Sequence, residues 1–160
     1  LEARWAIFFR ELGLKWKYEP AVLHGARCSY TPDFVVEEFG YVEIKPTVEL
    51  FIEESSERVC KIAAANPELS FYVFCGGEVQ LVWGVALYRG DKIFAPTARQ
   101  LCFFLARARG CERLPLETVQ NGYINRAINV ANAKKFSNEW QSASEVLPDV
   151  LKELEQKTVR

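Results

Sequence analysis

The sequence predicts an α/β fold in which a mixed central β-sheet is flanked by helices, with a helical segment at the C-terminal end. Three observations predict it. The stretch "DFVVEEFGYVEIK" alternates as two strands around a turn, "LSFYVFC" is a near-continuous apolar run of the kind a buried central strand has, and helical periodicity lies between and before them. The resulting order of helix, three strands, helix and two strands needs a sheet covered by helices rather than an all-helical or all-β core.

Each element has its own signal. Leu1, Trp5, Phe8, Phe9 and Leu12 recur at helical spacing, and Gly13 supplies a stop, so residues 2–12 read as a helix. "LKWKYEP" alternates as a strand that Pro20 ends, and a loop through His24 and Gly25 follows. The next two strands join near Glu38–Gly40, and Pro46 and Thr47 break the second. Residues 48–65 read as one helix with Val48, Phe51, Ile52, Ser55, Val59, Ile62 and Ala63 inward and Glu53, Glu54 and Glu57 mostly outward. Gly76–Gly77 turns the buried strand into "VQLVWGVALY", and "RGDK" turns that into Ile93–Phe94. Thr97 is placed to cap a helix ending at Gly110, a second helix spans about 123–136, and Pro148 suits the first turn of a last one near 148–157. The expected division is an α/β core over 1–95 and a helical extension over 96–160, able to contact DNA or a partner.

Composition narrows the class. The 160 residues are 49% hydrophobic and 26% charged, a balance that supports a packed core. No apolar run approaches the ~20 residues that cross a membrane, and no signal peptide is visible. The chain has no methionine, so its true start is expected ahead of Leu1. Five cysteines, an odd number with no Cys-x-x-Cys pair, argue against a disulfide framework or a cysteine-rich zinc site and for a reducing, intracellular compartment. Net charge is −1 but unevenly spread: residues 1–88 carry −5, 89–136 carry +6 and 137–160 carry −2. An acidic half beside a basic segment can place a polyanion next to an acidic site.

The acidic site is the sharpest signal. Glu43 and Lys45 are two apart on a strand and project from one face, while Asp33 heads the neighbouring antiparallel strand. Two carboxylates a few ångströms apart repel unless a cation sits between them. An all-oxygen set suits Mg²⁺ or Mn²⁺ rather than zinc, and the backbone carbonyl of Ile44 is well placed to join it. Such an ion can polarise a phosphodiester and help to ionise a water, with Lys45 orienting the nucleophile or neutralising the phosphate. The plain alternative is a wet strand face decorated with alternating charge.

On Pro32-Asp33 and Glu43-Ile44-Lys45, the chain resembles the PD-(D/E)XK nuclease superfamily. It is similar in particular to small phage and prophage-type nucleases with an opening helix like "LEARWAIFFRELG", a strand like "KWKYEP" and a "Y-x-PDF…VE-x-K" pattern. The resemblance covers about residues 1–77 and resumes weakly at "INRAINVANAKKF". It implies a restriction-endonuclease-like core, Glu2, Asp33 and Glu43 as acidic metal ligands and Lys45 as the catalytic lysine. It also implies a bacterial-host cytoplasm, phage or mobile-element proteins as partners, and Lys61 as a phosphate contact, against the ordinary reading of Lys61 as a solvated helix lysine. The chain departs from those relatives in having Pro46 where they often carry glycine, and residues 78–118 match no part of the pattern.

The remaining candidates lie in the basic segment. The helix over 123–136 has a polar side with Asn125, Arg126, Asn129, Asn132 and nearby Lys134, continued by Lys135, and such residues suit DNA phosphates and bases as well as they suit a wet face. Arg99, Arg107, Arg109 and Arg113 would extend a phosphate-binding surface if they share a side. His24, the only histidine, reads as a structural residue, since no nucleophile pattern surrounds it. The sequence thus leads to metal-dependent hydrolysis of a phosphodiester, most readily in DNA. The rivals are a non-catalytic nucleic-acid-binding or structural module on the same fold, and a plain interaction protein.

Overall fold

The computed structural model describes residues 1–25, 27–82 and 84–134, and within them the α/β class and the mixed sheet flanked by helices are what the chain forms. The six-stranded sheet runs in the order β1 (Trp16–Tyr18), β4 (Phe34–Val36), β5 (Gly40–Lys45), β6 (Phe71–Cys75), β7 (Val85–Arg89) and β8 (Lys92–Phe94). A separate two-stranded hairpin, β2 (Leu23–Gly25) and β3 (Cys28–Tyr30), forms where the sequence suggested a loop. Only β5 and β6 are parallel, because a helical crossover separates them; the other neighbours pair antiparallel.

The alternation of β5 divides the molecule. Val42 and Ile44 face a core closed by α1 (Glu2–Glu11), α4 (Ala98–Ala108) and α6 (Asn125–Ala133). Its densest part is aromatic: the Trp5 and Phe74 ring centroids are 4.4 Å apart, and Phe9 meets the edge of Phe34 at 5.5 Å. The opposite face of the sheet packs Val73 and Cys75 against Tyr30 of the hairpin and against Phe51, Val59 and Ile62 of α2 (Val48–Glu54) and α3 (Ser56–Ala65). Residues 98–133 therefore share the main core with α1 and the sheet. Thr97 does cap α4, through a capping box with Gln100.

Several elements differ from the sequence reading. The helix expected over 48–65 is broken at Ser55, whose φ of −130° is not helical; Ser56 back-bonds the Ile52 carbonyl at 2.7 Å, and a serine pair of this kind bends helices. The break leaves Val48 and Ile52 exposed, at 40% and 60%, although their spacing on one continuous helix would bury both. Residues 79–82 form no strand, yet Val79 and Leu81 are buried in the main core. The second helix of the basic segment is preceded by a short α5 (Leu116–Val119) and a π-helical turn over Gln120–Ile124. The helix expected near 148–157 lies outside the described residues.

Close packing requires a glycine at the head of β5. Gly40 opens β5 with φ +140°, and a Cβ there would stand 2.5 Å from the Ser70 carbonyl oxygen at the entry to β6.

Asn132 belongs to the fold rather than to a polar outer face. Its side chain accepts from Val79 N and donates to Val79 O, both at 3.0 Å, and so replaces the ladder partners that residue 79 lacks. Asn132→Ala is expected to lower unfolding stability by about 2 kcal/mol, since both main-chain groups of a buried residue lose their partner. Asn129→Ala, on the exposed side of α6, should stay within about 0.5 kcal/mol of wild type. Urea denaturation of the two variants checks the assignment, and equal midpoints would refute it.

Candidate metal centre

The site forms where β4 begins and β5 ends. In β5, Tyr41 N and Lys45 O bond to Ser70 and Gly76 on the β6 side, so the main-chain groups of Val42 and Ile44 point to β4. Phe34 lies opposite Val42, and the same register carried two residues on places Pro32 opposite Ile44. Proline has no N–H to give the Ile44 carbonyl. The Ile44 N–H, in turn, takes its acceptor from a side chain: Asp33 Oδ2 accepts it at 2.6 Å. The Pro-Asp pair thus ends the β4–β5 ladder, fixes the Asp33 carboxylate against β5, and leaves the Ile44 carbonyl facing the same edge without a ladder donor.

Glu43 lies on the other side of the strand and is 2% exposed. Its Oε1 is 3.2 Å from Lys45 Nζ, while its Oε2 is enclosed and has no hydrogen-bond partner. The Tyr30 hydroxyl is buried on β3 near enough to Glu43 to favour its charged form, although the two stop short of hydrogen-bond geometry; burial, followed by the Glu43 charge, pushes the Tyr30 pKa up. Lys45 Nζ is also 3.5 Å from Glu54 Oε2 at the end of α2.

Electrostatically the cluster is short of positive charge. Burial first, then Glu43, then Glu2, push the Asp33 carboxyl from 3.8 up to about 8, against the opposing pull of the Ile44 N–H and of Lys45. Burial also raises Glu43, although Tyr30 and Lys45 favour its charged form. For Lys45, burial pulls its pKa down, but the carboxylates of Glu43, Asp33 and Glu54 outweigh it and hold it above the ordinary lysine range.

The other candidates are distributed as follows. Glu2, in the first turn of α1, is near enough to act on Asp33, but its carboxylate accepts from the Tyr18 hydroxyl at 2.7 Å. Among the described residues, no group of three or more His, Cys, Asp or Glu is gathered tightly enough to hold a metal ion by side chains alone. The oxygen donors that β4 and β5 bring to this end of the sheet are Asp33, Glu43 and the Ile44 carbonyl. The orphaned Glu43 oxygen and the raised Asp33 carboxyl are what a hard divalent cation would relieve, so the residues present fit Mg²⁺ or Mn²⁺.

Lys61 is exposed on α3 and paired with Glu57. Arg126 and Asn129 are exposed on α6, Lys134 follows it, and Lys135 lies outside the described residues. Arg109 does not join Arg99, Arg107 and Arg113 as an exposed cation: its guanidinium stacks 3.8 Å over the Tyr123 ring with Nη1 buried. His24 is a strand residue with an exposed side chain, and its carbonyl accepts from Asn66.

Two residues escaped the sequence reading. Glu54 is exposed, as its outward place on the helix predicts, yet its Oε2 lies 3.5 Å from Lys45 Nζ, a pairing that helical spacing does not signal. Arg4 carried no signal in sequence, yet its Nη1 donates to the Gly77 carbonyl at 3.1 Å. Gly76 bonds to Lys45, Gly77 to Arg4, and Val79 to Asn132, so one loop ties the end of β5 to the first turn of α1 and the last turn of α6. Lys134, two residues past Asn132, is thereby brought to the Lys45 end of the sheet.

No described helix is long and apolar enough to cross a membrane. No protein-family model, curated protein or solved structure matches the chain.

The Asp33 shift has a measurable sign. Its carboxyl holds a proton more tightly folded than unfolded, so that contribution to stability is full below the ordinary value of 3.8 and is lost as pH rises through about 8. With divalent ions removed by EDTA, the melting temperature should fall across that window. Asp33→Asn keeps an acceptor for the Ile44 N–H, should lose this fall, and should melt above wild type at the upper end. Parallel melting curves for the two proteins across the window would show that Asp33 is not held as described.

Proposed function

We propose that this protein is a divalent-metal-dependent nuclease of the PD-(D/E)XK type that hydrolyses phosphodiester bonds in DNA, in phage or mobile-element DNA processing in a bacterial cytoplasm. The observation that carries the reading is the pairing of two raised carboxylates, Asp33 and Glu43, with a lysine on the same strand and a main-chain carbonyl left without a ladder donor. Strand wetting alone does not account for a glutamate that is 2% exposed with one oxygen unpaired.

In this reading Asp33, Glu43 and the Ile44 carbonyl hold Mg²⁺ or Mn²⁺, with Glu2 contributing from the first turn of α1. When bound, the ion would supply Lewis-acid polarisation of the phosphodiester and a lowered pKa for a water. The chain supplies the rest. The Ile44 N–H holds Asp33 in one orientation. Lys45 stays protonated and directs its charge to the scissile phosphate and the attacking water, where charge grows in the transition state. Pro46 ends β5 directly after the lysine and holds the backbone there. Arg4 and Lys134, at the same end of the sheet, suit flanking phosphates of the strand.

A second reading is favoured by one observation. Lys45 already pairs with Glu43 and Glu54, as it would in a module that binds nucleic acid without cutting it. Lys45→Ala separates the two. Calorimetry with Mn²⁺ should show a site that Asp33→Ala or Glu43→Ala removes or badly weakens, that Glu2→Ala weakens less, and that Lys45→Ala retains. Cleavage of a mixed DNA panel by Lys45→Ala should fall by orders of magnitude while DNA binding persists. Equal, negligible cleavage by wild type and Lys45→Ala with every metal, at equal DNA affinity, would leave the binding module as the answer.

Salt dependence tests the path of the strand. Removing one phosphate contact flattens the dependence of log affinity on log salt by about 0.9 for duplex DNA. Lys134→Ala is expected to do so with little change in melting temperature, as is Arg126→Glu to a greater or smaller degree according to how far along α6 the DNA runs. Unaltered slopes in both would put the DNA elsewhere.

A further inference from the structure

Resting on the nuclease reading, we propose that Glu54 is a positioning residue for Lys45, holding the lysine over the site when Glu43 is occupied as a ligand. Lys45 Nζ lies 3.2 Å from Glu43 Oε1 and 3.5 Å from Glu54 Oε2, and the three side chains grade from enclosed to wet, at 3% for Glu43, 22% for Lys45 and 55% for Glu54. A lysine is a point charge on a flexible four-carbon stem, so one anchor leaves it free to swing and two fix its direction.

The two anchors are not equivalent. Glu43 sits on a central strand and is one of the oxygen donors that face the site. A divalent cation held there would take up much of its charge and leave Glu43 a weaker anchor for the Lys45 ammonium. Glu54, at the end of α2 and mostly exposed, is not one of those oxygen donors and stays available to the lysine. Its placement comes from the backbone. Pro46 ends β5, Thr47 caps α2 at once by accepting from Leu50 N at 3.2 Å, and the break at Ser55 ends α2 one residue after Glu54. The adjacent acids do not share the role: Glu57 is paired with Lys61, and among the described ion pairs of Lys45 the partners are Glu43 and Glu54.

The test is Glu54→Gln, which removes the charge and keeps the shape. Cleavage should lose roughly tenfold in kcat, as for loss of a supporting contact behind a functional group, with KM and Mn²⁺ affinity little changed. Glu54→Asp should recover part of the loss, and Glu53→Gln, an exposed neutralisation on the same helix, should lose nothing. In a Lys45→Ala background Glu54→Gln should add no further loss, because the effect runs through the lysine. In the metal-free protein the ¹⁵N signal of the Lys45 ammonium should shift in Glu54→Gln and not in Glu53→Gln. An unmoved Lys45 signal, or a kcat equal to wild type, overturns the proposal. A wild-type protein that cleaves no DNA overturns the nuclease reading instead, so the two failures are distinguishable.

Discussion

The hydrogen bond from the Ile44 N–H to Asp33 Oδ2, at 2.6 Å, is the contact around which this end of the molecule is arranged. A sheet interior ordinarily answers a main-chain N–H with a main-chain carbonyl. Here Pro32 occupies the position opposite Ile44 and can offer no donor in return, so the ladder between β4 and β5 stops and a carboxylate takes over. A strand end that would otherwise fray is closed by a carboxyl acceptor, and that carboxyl is brought into a partly buried place next to two other acids. The raised Asp33 carboxyl and the orphaned Glu43 oxygen follow from that placement.

Period-two alternation then does the sorting. Val42 and Ile44 enter the aromatic core under α1, α4 and α6, which holds β5 rigidly in the middle of the sheet. Glu43 and Lys45 emerge on the other face, beneath the hairpin and α2–α3. Polar groups in such a position are costly unless paired, and Lys45 pairs only one of the two Glu43 oxygens. The same rigidity that makes the burial possible keeps the donors from relaxing toward water. That unrelieved strain of charge, rather than the presence of acids as such, gives the site its proposed affinity for a cation.

The basic segment reaches this end of the sheet through packing. α6 lies with α1 in the main core, and Asn132 locks its last turn to Val79. The loop over residues 76–79 then joins β5, α1 and α6 through three separate side-chain or main-chain bonds. The polar residues of α6 consequently divide into kinds that composition does not distinguish: Asn132 serves the backbone, whereas Arg126, Asn129 and Lys134 face out. Arg109 is drawn off in the same way by Tyr123.

Much of this was readable in the chain alone. The opening helix, the β4–β5 pair, the buried β6 strand and the Thr97 cap carry local signals, because periodicity, turn residues and caps act within a few positions. Asp33, Glu43 and Lys45 were legible for the same reason: strand alternation and one short turn suffice to bring them near one another. The rest depended on partners distant in sequence. The hairpin around His24 is held by Tyr30 packing against residues of α3 and β6; the break at Ser55, by contrast, has a local cause in its serine pair, which the apolar spacing of residues 48–65 overrode in the sequence. Glu54 met Lys45, Arg4 met Gly77 and Asn132 met Val79 only once the chain had folded. The sequence by itself determined which residues could carry charge at the site and on which face of β5 they stand, since that is local geometry; the tertiary structure decided how deeply they are buried and which neighbours answer them, since desolvation and long-range pairing exist only in the packed protein.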